Sequence, residues 1–253
     1  MFTRDSVTVV TAATGHPNLL KCLQSVQRQT YGPMEHVIVA DGRERSDGVQ
    51  NVINQLGPRV RAIQLITLPH ATGKDKWCGH RIYAAMCFLV NTEFITFLDE
   101  DNWLEPDHVG SLMQAIKKSA SSWAFCLRNI CDSSGRFIAR DECESLGNLH
   151  PIFNDPQGHL IDTNCYFLHR EVAVRVAHLW YAPGRPPDQD QEPDRLCCKT
   201  LFRDFPRNCS SRKHTLNYTV ANRPDSVKGE FFLYGNQLMH ERYPGGLPWE
   251  QAP

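Results

Sequence analysis

The sequence predicts an α/β domain with a mixed, mainly parallel central sheet flanked by helices. Two observations carry that reading. Through roughly the first hundred residues, short β-branched or aromatic runs alternate with segments of helical periodicity. Key acidic residues stand at the ends of those runs, most plainly in Phe94-Ile95-Thr96-Phe97-Leu98-Asp99-Glu100-Asp101-Asn102. Burying an unpaired carboxylate is costly, so that strand must end near Leu98 with the acids at its carboxyl edge.

Val7 to Thr11 is β-branched and makes the first strand, broken by Ala12 to Pro17. Leu19, Leu20, Leu23 and Val26 give a helix running to about Gln29. His36 to Ala40 is the second strand, closed by Asp41-Gly42, and Val49, Val52, Ile53 and Leu56 mark the second helix. Arg61 to Leu68 is the third strand, Pro69 to Gly79 a polar loop, and His80 to Val90 the third helix. Alternation of this kind implies parallel strands joined by right-handed crossovers. Asp41 and Asp99 are therefore expected on one edge of one sheet, where open α/β sheets bind ligands.

The second half is less regular. A helix starts at Pro106, a strand spans Ser122 to Leu127, and Arg136 to Arg140 pairs back as a hairpin. Asp141 to Gly158 reads as loop, Leu160 to Leu168 as strand, and Glu171 to Leu179 as helix. The acidic run Asp188 to Asp194 precedes a helix bearing Leu196, Leu201 and Phe202, and Thr215 to Ala221 is a further strand. Residues 222 to 253 read as a tail rich in Gly, Pro, aromatics and His. The expected organisation is a single domain over 1–253, with halves at 1–102 and 103–221 and a tail or lid at 222–253.

The chain has 253 residues, 41% of them hydrophobic, enough for a substantial core. A net charge of −1 argues against a broad nucleic-acid footprint. The ten cysteines form no CxxC pair, so free thiols in a reducing compartment are the simplest account. No long apolar segment follows the start, and the most apolar stretch is interrupted by Asn91 and Glu93. A cytoplasmic protein, or one peripheral to a membrane, is expected, and its oligomeric state is open.

Asp99 and Asp101 can be read as hard oxygen ligands for Mg²⁺ or Mn²⁺, or as an ordinary acidic turn. Further motifs favour the first. Val7 to Thr14, Leu19 to Tyr31, Val37 to Gly42, Gly79-His80-Arg81, Phe97 to Asn102 and Asp190 to Leu201 resemble, in order, the motifs of the GT-A glycosyltransferases of family 2, the inverting Asp-x-Asp type. The match covers about residues 7 to 205. Thr14 and His16 replace the usual aromatic and Asn of the first turn, and Pro193-Asp194 stands where the family often has Glu-Asp.

The resemblance implies a Rossmann-like GT-A fold and a metal-dependent glycosyltransferase moving a sugar from a nucleotide sugar, a UDP-sugar favoured, to a saccharide or other hydroxyl acceptor. It implies Asp101 as metal ligand, with His240 as a second, and Mn²⁺ or Mg²⁺ as cofactor. Nucleotide-sugar contacts fall to Thr11, Ala13, Thr14, Asp41, Lys74, Arg81, Asp99 and Glu100. Lys76 joins the positive charge near the diphosphate. Asp194 is the expected general base, with Glu192 and Asp190 as the other carboxylates in that role. Polar groups of Asp162-Thr163-Asn164 can face donor or acceptor hydroxyls. Arg223, Lys228 and Tyr243 can close as a lid on the tail glycines. Two other readings stand beside this one. A sugar nucleotidyltransferase would want a better phosphate loop than Gly15-His16-Pro17. A catalytically silent GT-A-like binding domain must be weighed against the intact Asp99 and Asp101.

Overall fold

The computed structural model describes residues 4–57, 61–73, 78–153, 160–181, 193–221 and 226–250. The first half follows the predicted alternation: β1 (Val7–Ala13), α1 (Leu19–Gln27), β2 (Met34–Ala40), α2 (Ser46–Asn54), β3 (Ala62–Thr67), α3 (His80–Leu89) and β4 (Phe94–Phe97). The second half adds β5 (Trp103–Leu104), α4 (His108–Ser119), β6 (Trp123–Cys131), β7 (Phe137–Arg140), β8 (Tyr166–His169), α5 (Arg170–Val176), α6 (Pro193–Asp204), β9 (Asn208–Thr219) and α7 (Gly229–Arg242).

One mixed sheet joins the strands in the order β3-β2-β1-β4-β8-β6-β9-β5, with β7 paired to β6. The four strands β3, β2, β1 and β4 are mutually parallel, each neighbour to the next. Beyond β4 the sheet turns antiparallel through β8 and β6, then parallel again where β6 meets β9. β1 is buried along almost its whole length because helices cover both faces of the sheet, which is why it reads as a continuous apolar run. On one face Leu19 and Leu23 of α1 meet Val49 and Ile53 of α2 over Ala13, Ile38 and Ala40. The main core lies against α3, α4, α5 and α6 and includes the fully buried Trp123, Phe125, Tyr166 and Trp180.

Three elements differ from the sequence expectation. The strand expected from Leu160 begins only at Tyr166, because Asp162 caps a 3-10 turn at Thr163–Cys165 by accepting from the Asn164 N–H. β9 starts earlier than Thr215, its polar first half running beside β6. The middle of the expected tail is α7, which buries Phe232, Gly235 and Met239 and packs on β7 and β6. Lys228, offered as a lid residue, is the N-cap of α7, and Tyr243 is its C-cap; Arg223 lies outside the described residues. All ten cysteines are free thiols. Among the described residues no helix is long and apolar enough to cross a membrane.

Candidate active site

In the order 3-2-1-4 the connections reverse direction between β1 and β4. A crevice opens at such a switch point, beyond the carboxyl ends of the strands. A cleft of about 350 Å³ lies there. β1 delivers Ala12 and Thr14 to it, β2 delivers Asp41, and the turn after β4 delivers Asp99, Glu100, Asp101 and Asn102. α3 contributes Gly79, His80 and Tyr83, the Asp162 turn contributes Asp162 and Thr163, and α6 contributes Asp194.

The turn after β4 is tied down on three sides. The Asp99 carboxylate accepts from the Tyr83 hydroxyl and, at 2.7 Å, from Asn164 Nδ2, while the Asp99 N–H donates to Asn164 Oδ1. Burial raises the pKa of Asp99 above the usual carboxylate value, and the bonds from Asn164 and Tyr83 only partly offset it. On the far side, Thr219 of β9 donates from Oγ1 to the Asp101 carbonyl at 2.6 Å and from its N–H to Asn102 Oδ1 at 2.9 Å.

Glu100 makes the third tie. Its Oε1 accepts from the Thr14 N–H at 2.8 Å and the Thr14 hydroxyl at 2.5 Å. Its Oε2 accepts from the N–H groups of Gly15 at 2.9 Å and His16 at 2.8 Å. Three successive N–H groups converge on one carboxylate because Gly15 takes φ +90°, a conformation side chains disfavour. Gly79 matters for a different reason. A Cβ there would sit 2.8 Å from Ala12 Cβ, so only glycine lets α3 start against β1.

Asp41 closes β2 and pins the following loop: Oδ1 accepts from the Thr72 N–H at 2.7 Å and Thr72 hydroxyl at 2.8 Å, and Oδ2 from the Gly73 N–H at 3.0 Å. Asp194 stands in the first turn of α6, where its Oδ1 accepts from the Arg195 N–H at 2.8 Å. Asp162 is held from behind by Arg128, whose Nη1 lies 2.7 Å from its Oδ2. Arg128 is buried in β6 and fans to two further carboxylates, Asp141 at 2.7 Å through Nε and Glu144 through Nη2. Its guanidinium also lies over the rings of Tyr218 and Phe232, at 4.5 and 5.3 Å. A chain of polar contacts therefore runs from Arg128 through Asp162 and Asn164 to Asp99.

Of the residues singled out in the sequence, Thr14, Asp41, Asp99, Glu100, Asp101 and Asp194 meet at the cleft. Thr11, Ala13, Arg81 and His240 are not among its walls. Strand alternation puts Ala12 on the cleft side, whereas Thr11 is buried with Oγ1 2.9 Å from His36 Nε2 and Ala13 packs under α1. The first turn of α3 gives Gly79, His80 and Tyr83 to the cleft, so Arg81 points away, its guanidinium 4.8 Å from the Tyr181 ring centre. His240 is exposed on α7, with Nε2 3.0 Å from Glu142 Oε2. Lys74, Lys76, Asp190 and Glu192 lie outside the described residues. Several wall residues carried no sequence signal of their own, among them His80, read only as part of a helix start, and Tyr83, which was not singled out.

Residues 6–177 match the family model of glycosyl transferase family 2, so the chain belongs to that family. It is 28% identical over 156 residues to glycosyltransferase GlyA of Streptococcus pneumoniae serotype 4, a match covering 59% of this chain and 19% of GlyA. In structure it is similar to S. aureus TarS residues 1–349 in complex with UDP-GlcNAc, with TM-score 0.61 and 13% identity, covering 92% of this chain and 64% of that one. It is also similar to the mannosyltransferase PcManGT from Pyrobaculum calidifontis in complex with GDP-Man and Mn²⁺, with TM-score 0.57 and 13% identity, covering 86% of this chain and 58% of that one. The fold is thus the mixed α/β GT-A type. The chain spans about a fifth of GlyA and less than two thirds of these two structures.

Proposed function

We propose that the chain is a metal-dependent, inverting glycosyltransferase that moves a sugar from a nucleotide sugar, a UDP-sugar favoured, to a hydroxyl acceptor. The observation that carries this is the meeting of the Asp99–Asp101 turn and Asp194 at one cleft on the β1/β4 switch point. Family membership and the UDP-GlcNAc bound by TarS support the donor class.

The described walls hold six carboxylates and neither Lys nor Arg. Such a surface repels a diphosphate unless a cation stands between them. No group of three His, Cys, Asp or Glu side chains able to enclose a metal occurs among the described residues. Mg²⁺ and its analogue Mn²⁺ need only one or two protein carboxylates, completing their shell with phosphate oxygens and water, and the Asp99–Asp101 turn offers such carboxylates. Asp101 is the residue that would hold the ion, with Asp99 reaching ribose hydroxyls or the ion's water. When bound, the ion supplies Lewis-acid stabilisation of the departing diphosphate.

The chain's own groups do the rest. Glu100 fixes the Thr14–His16 loop, which with Asp41 lines the nucleotide side. Asn164 and Tyr83 keep Asp99 in place. Asp194 takes the proton of the acceptor hydroxyl as it attacks the anomeric carbon from the face opposite the leaving diphosphate, which inverts that carbon; Glu192 is the neighbouring carboxylate for the same task. Release of UDP from a panel of UDP-sugars in Mn²⁺ tests this. Asp101→Ala is expected to lower turnover by about 10²–10³-fold. Asp194→Asn is expected to lower kcat by about 10²–10⁴-fold while leaving UDP affinity unchanged. Wild-type protein that binds no nucleoside diphosphate in Mn²⁺ would refute the reading.

A further inference from the structure

His80 opens α3 on the wall of the cleft, between Gly79 and Tyr83. Its side chain makes no hydrogen bond to any described residue, and Nδ1 is shut off from solvent without a partner. Buried polar atoms are ordinarily satisfied, so an unpartnered one in the wall of a ligand cleft calls for an explanation. The ring is oriented instead by apolar packing. It stacks on Trp180 at 6.0 Å and 24°. Trp180 is itself fully buried and set edge-on to Phe97 at 5.4 Å and to Tyr166 at 6.0 Å. The plane of the imidazole is therefore fixed by the core, which leaves Nε2, the nitrogen not shut off from solvent, for a ligand in the cleft.

The chemistry of that ligand follows from the charge state and the neighbours. Burial lowers the pKa of His80 to about 4, and the negative charge of Asp162 opposes this only in part. At neutral pH the ring is uncharged, with one N–H donor and one lone pair. A diphosphate would be met better by a cation. A hydroxyl, which donates and accepts at once, matches a neutral imidazole, and the nearby Asp162 carboxylate offers further acceptor capacity to the same group or its neighbour.

We infer that His80 is a specificity-determining residue of the donor-sugar subsite, hydrogen-bonding a hydroxyl of the transferred sugar beside Asp162. The inference rests on the glycosyltransferase reading above, and the two can fail separately. Binding of UDP and of UDP-glucose, UDP-galactose, UDP-GlcNAc and UDP-GalNAc is measured calorimetrically in Mn²⁺ for the wild type, His80→Phe and His80→Asn. Phe keeps the stack on Trp180 and removes both nitrogens; Asn restores a polar group. Thermal melts confirm that each variant is folded.

UDP affinity is expected to be the same in all three proteins. The preferred UDP-sugar binds the wild type more tightly than UDP does, and His80→Phe loses about tenfold of that sugar-dependent gain, the size of one neutral hydrogen bond. Asn recovers part of it, and the gain in the wild type is flat from about pH 6 to about pH 8 because the ring stays neutral throughout. A full gain retained in His80→Phe, or a wild type that binds every UDP-sugar no better than UDP, overturns the assignment. A wild type that binds no UDP overturns the underlying reading instead.

Discussion

Replacing Arg128 by Met removes the one cation that three acidic side chains share. Asp141, Glu144 and Asp162 all contact the guanidinium, and Arg128 and Asp141 are essentially inaccessible to solvent. Met fills similar volume, so the loss is mainly electrostatic. Removing one partner of a buried pair costs about 3–5 kcal/mol, because the remaining charge is left uncompensated. Three carboxylates are orphaned here, but Asp141 keeps the N–H groups of Cys143, Glu144 and Ser145, so the single-pair figure is the better guide. For a chain of this length the unfolding entropy is about 0.5 kcal/mol/K, so about 4 kcal/mol lowers Tm by ~8 °C.

The pH dependence gives a second handle on the same variant. In the wild type, burial pushes Asp141 up, but the charge and hydrogen bonds of Arg128, with backbone N–H groups, hold it below the ordinary value. A depressed carboxylate stabilises the fold above its unfolded pKa, and that contribution is lost as pH falls through the folded pKa. Burial raises Glu144 despite Arg128. Without Arg128, burial dominates at the orphaned carboxylates and raises their folded pKa values. Their contribution is then fully present below about pH 4 and lost as pH rises through the raised values. The Tm gap between wild type and Arg128→Met is therefore widest near neutrality and narrows toward about pH 5. Arg128→Lys recovers only part of it, since an ammonium cannot fork to three acids. Scanning calorimetry across that range decides the matter. A Tm within ~2 °C of the wild type at pH 7, or a gap that widens on acidification, refutes the reasoning.

Glu100→Gln keeps the shape of the side chain but leaves one acceptor oxygen where two serve four donors. UDP dissociation constants should rise by about 10-fold or more as the Thr14–His16 loop loosens, with a small change in Tm; an unchanged affinity would remove Glu100 from the loop's support. Gly79→Ala drives a methyl to within 2.8 Å of Ala12 Cβ, so α3 must shift at its start. About 1–3 kcal/mol of stability is expected to be lost, read from denaturant midpoints, together with UDP-sugar binding.

The first half was legible because β1, β2 and β4 are largely buried on both faces and its helices bury one, so period and composition agree; β3, at the sheet edge, is only partly covered. The carboxyl-edge acids were legible for the same reason, since a buried run that ends in Asp must end at the edge. The strand expected at Leu160 was not, because the Asp162 cap on its turn is a side-chain contact that periodicity does not report. α7 was hidden by Gly229 and Gly235, which weaken any helical signal, although Phe232, Gly235 and Met239 do fall at i, i+3 and i+7. Gly235 is there for closeness, as a Cβ would lie 2.6 Å from Cys143 Sγ. His80 and Arg128 depend on contacts from distant segments, so an imidazole at a helix start and an Arg within a strand could not be assigned roles from spacing.

The six acids among the described residues of the cleft do not carry equal chemical duties. Glu100 spends its charge on three backbone N–H groups and a hydroxyl, and Asp41 on the Thr72–Gly73 loop. Asp162 faces Arg128, and Asp99 is bonded by Tyr83 and Asn164 in a site where burial already disfavours its charged form. A carboxylate so engaged is a poor proton acceptor or metal ligand, because using it breaks the contacts that shape the cleft. What these four provide is a rigid wall that joins β1, β2, β4, α3 and the Asp162 turn. The proposed chemistry assigns the reactive parts to Asp101, on a turn that Glu100 and Thr219 both hold, and to Asp194, in the first turn of α6. In that proposal metal and base would stand on separate elements, the turn after β4 and α6.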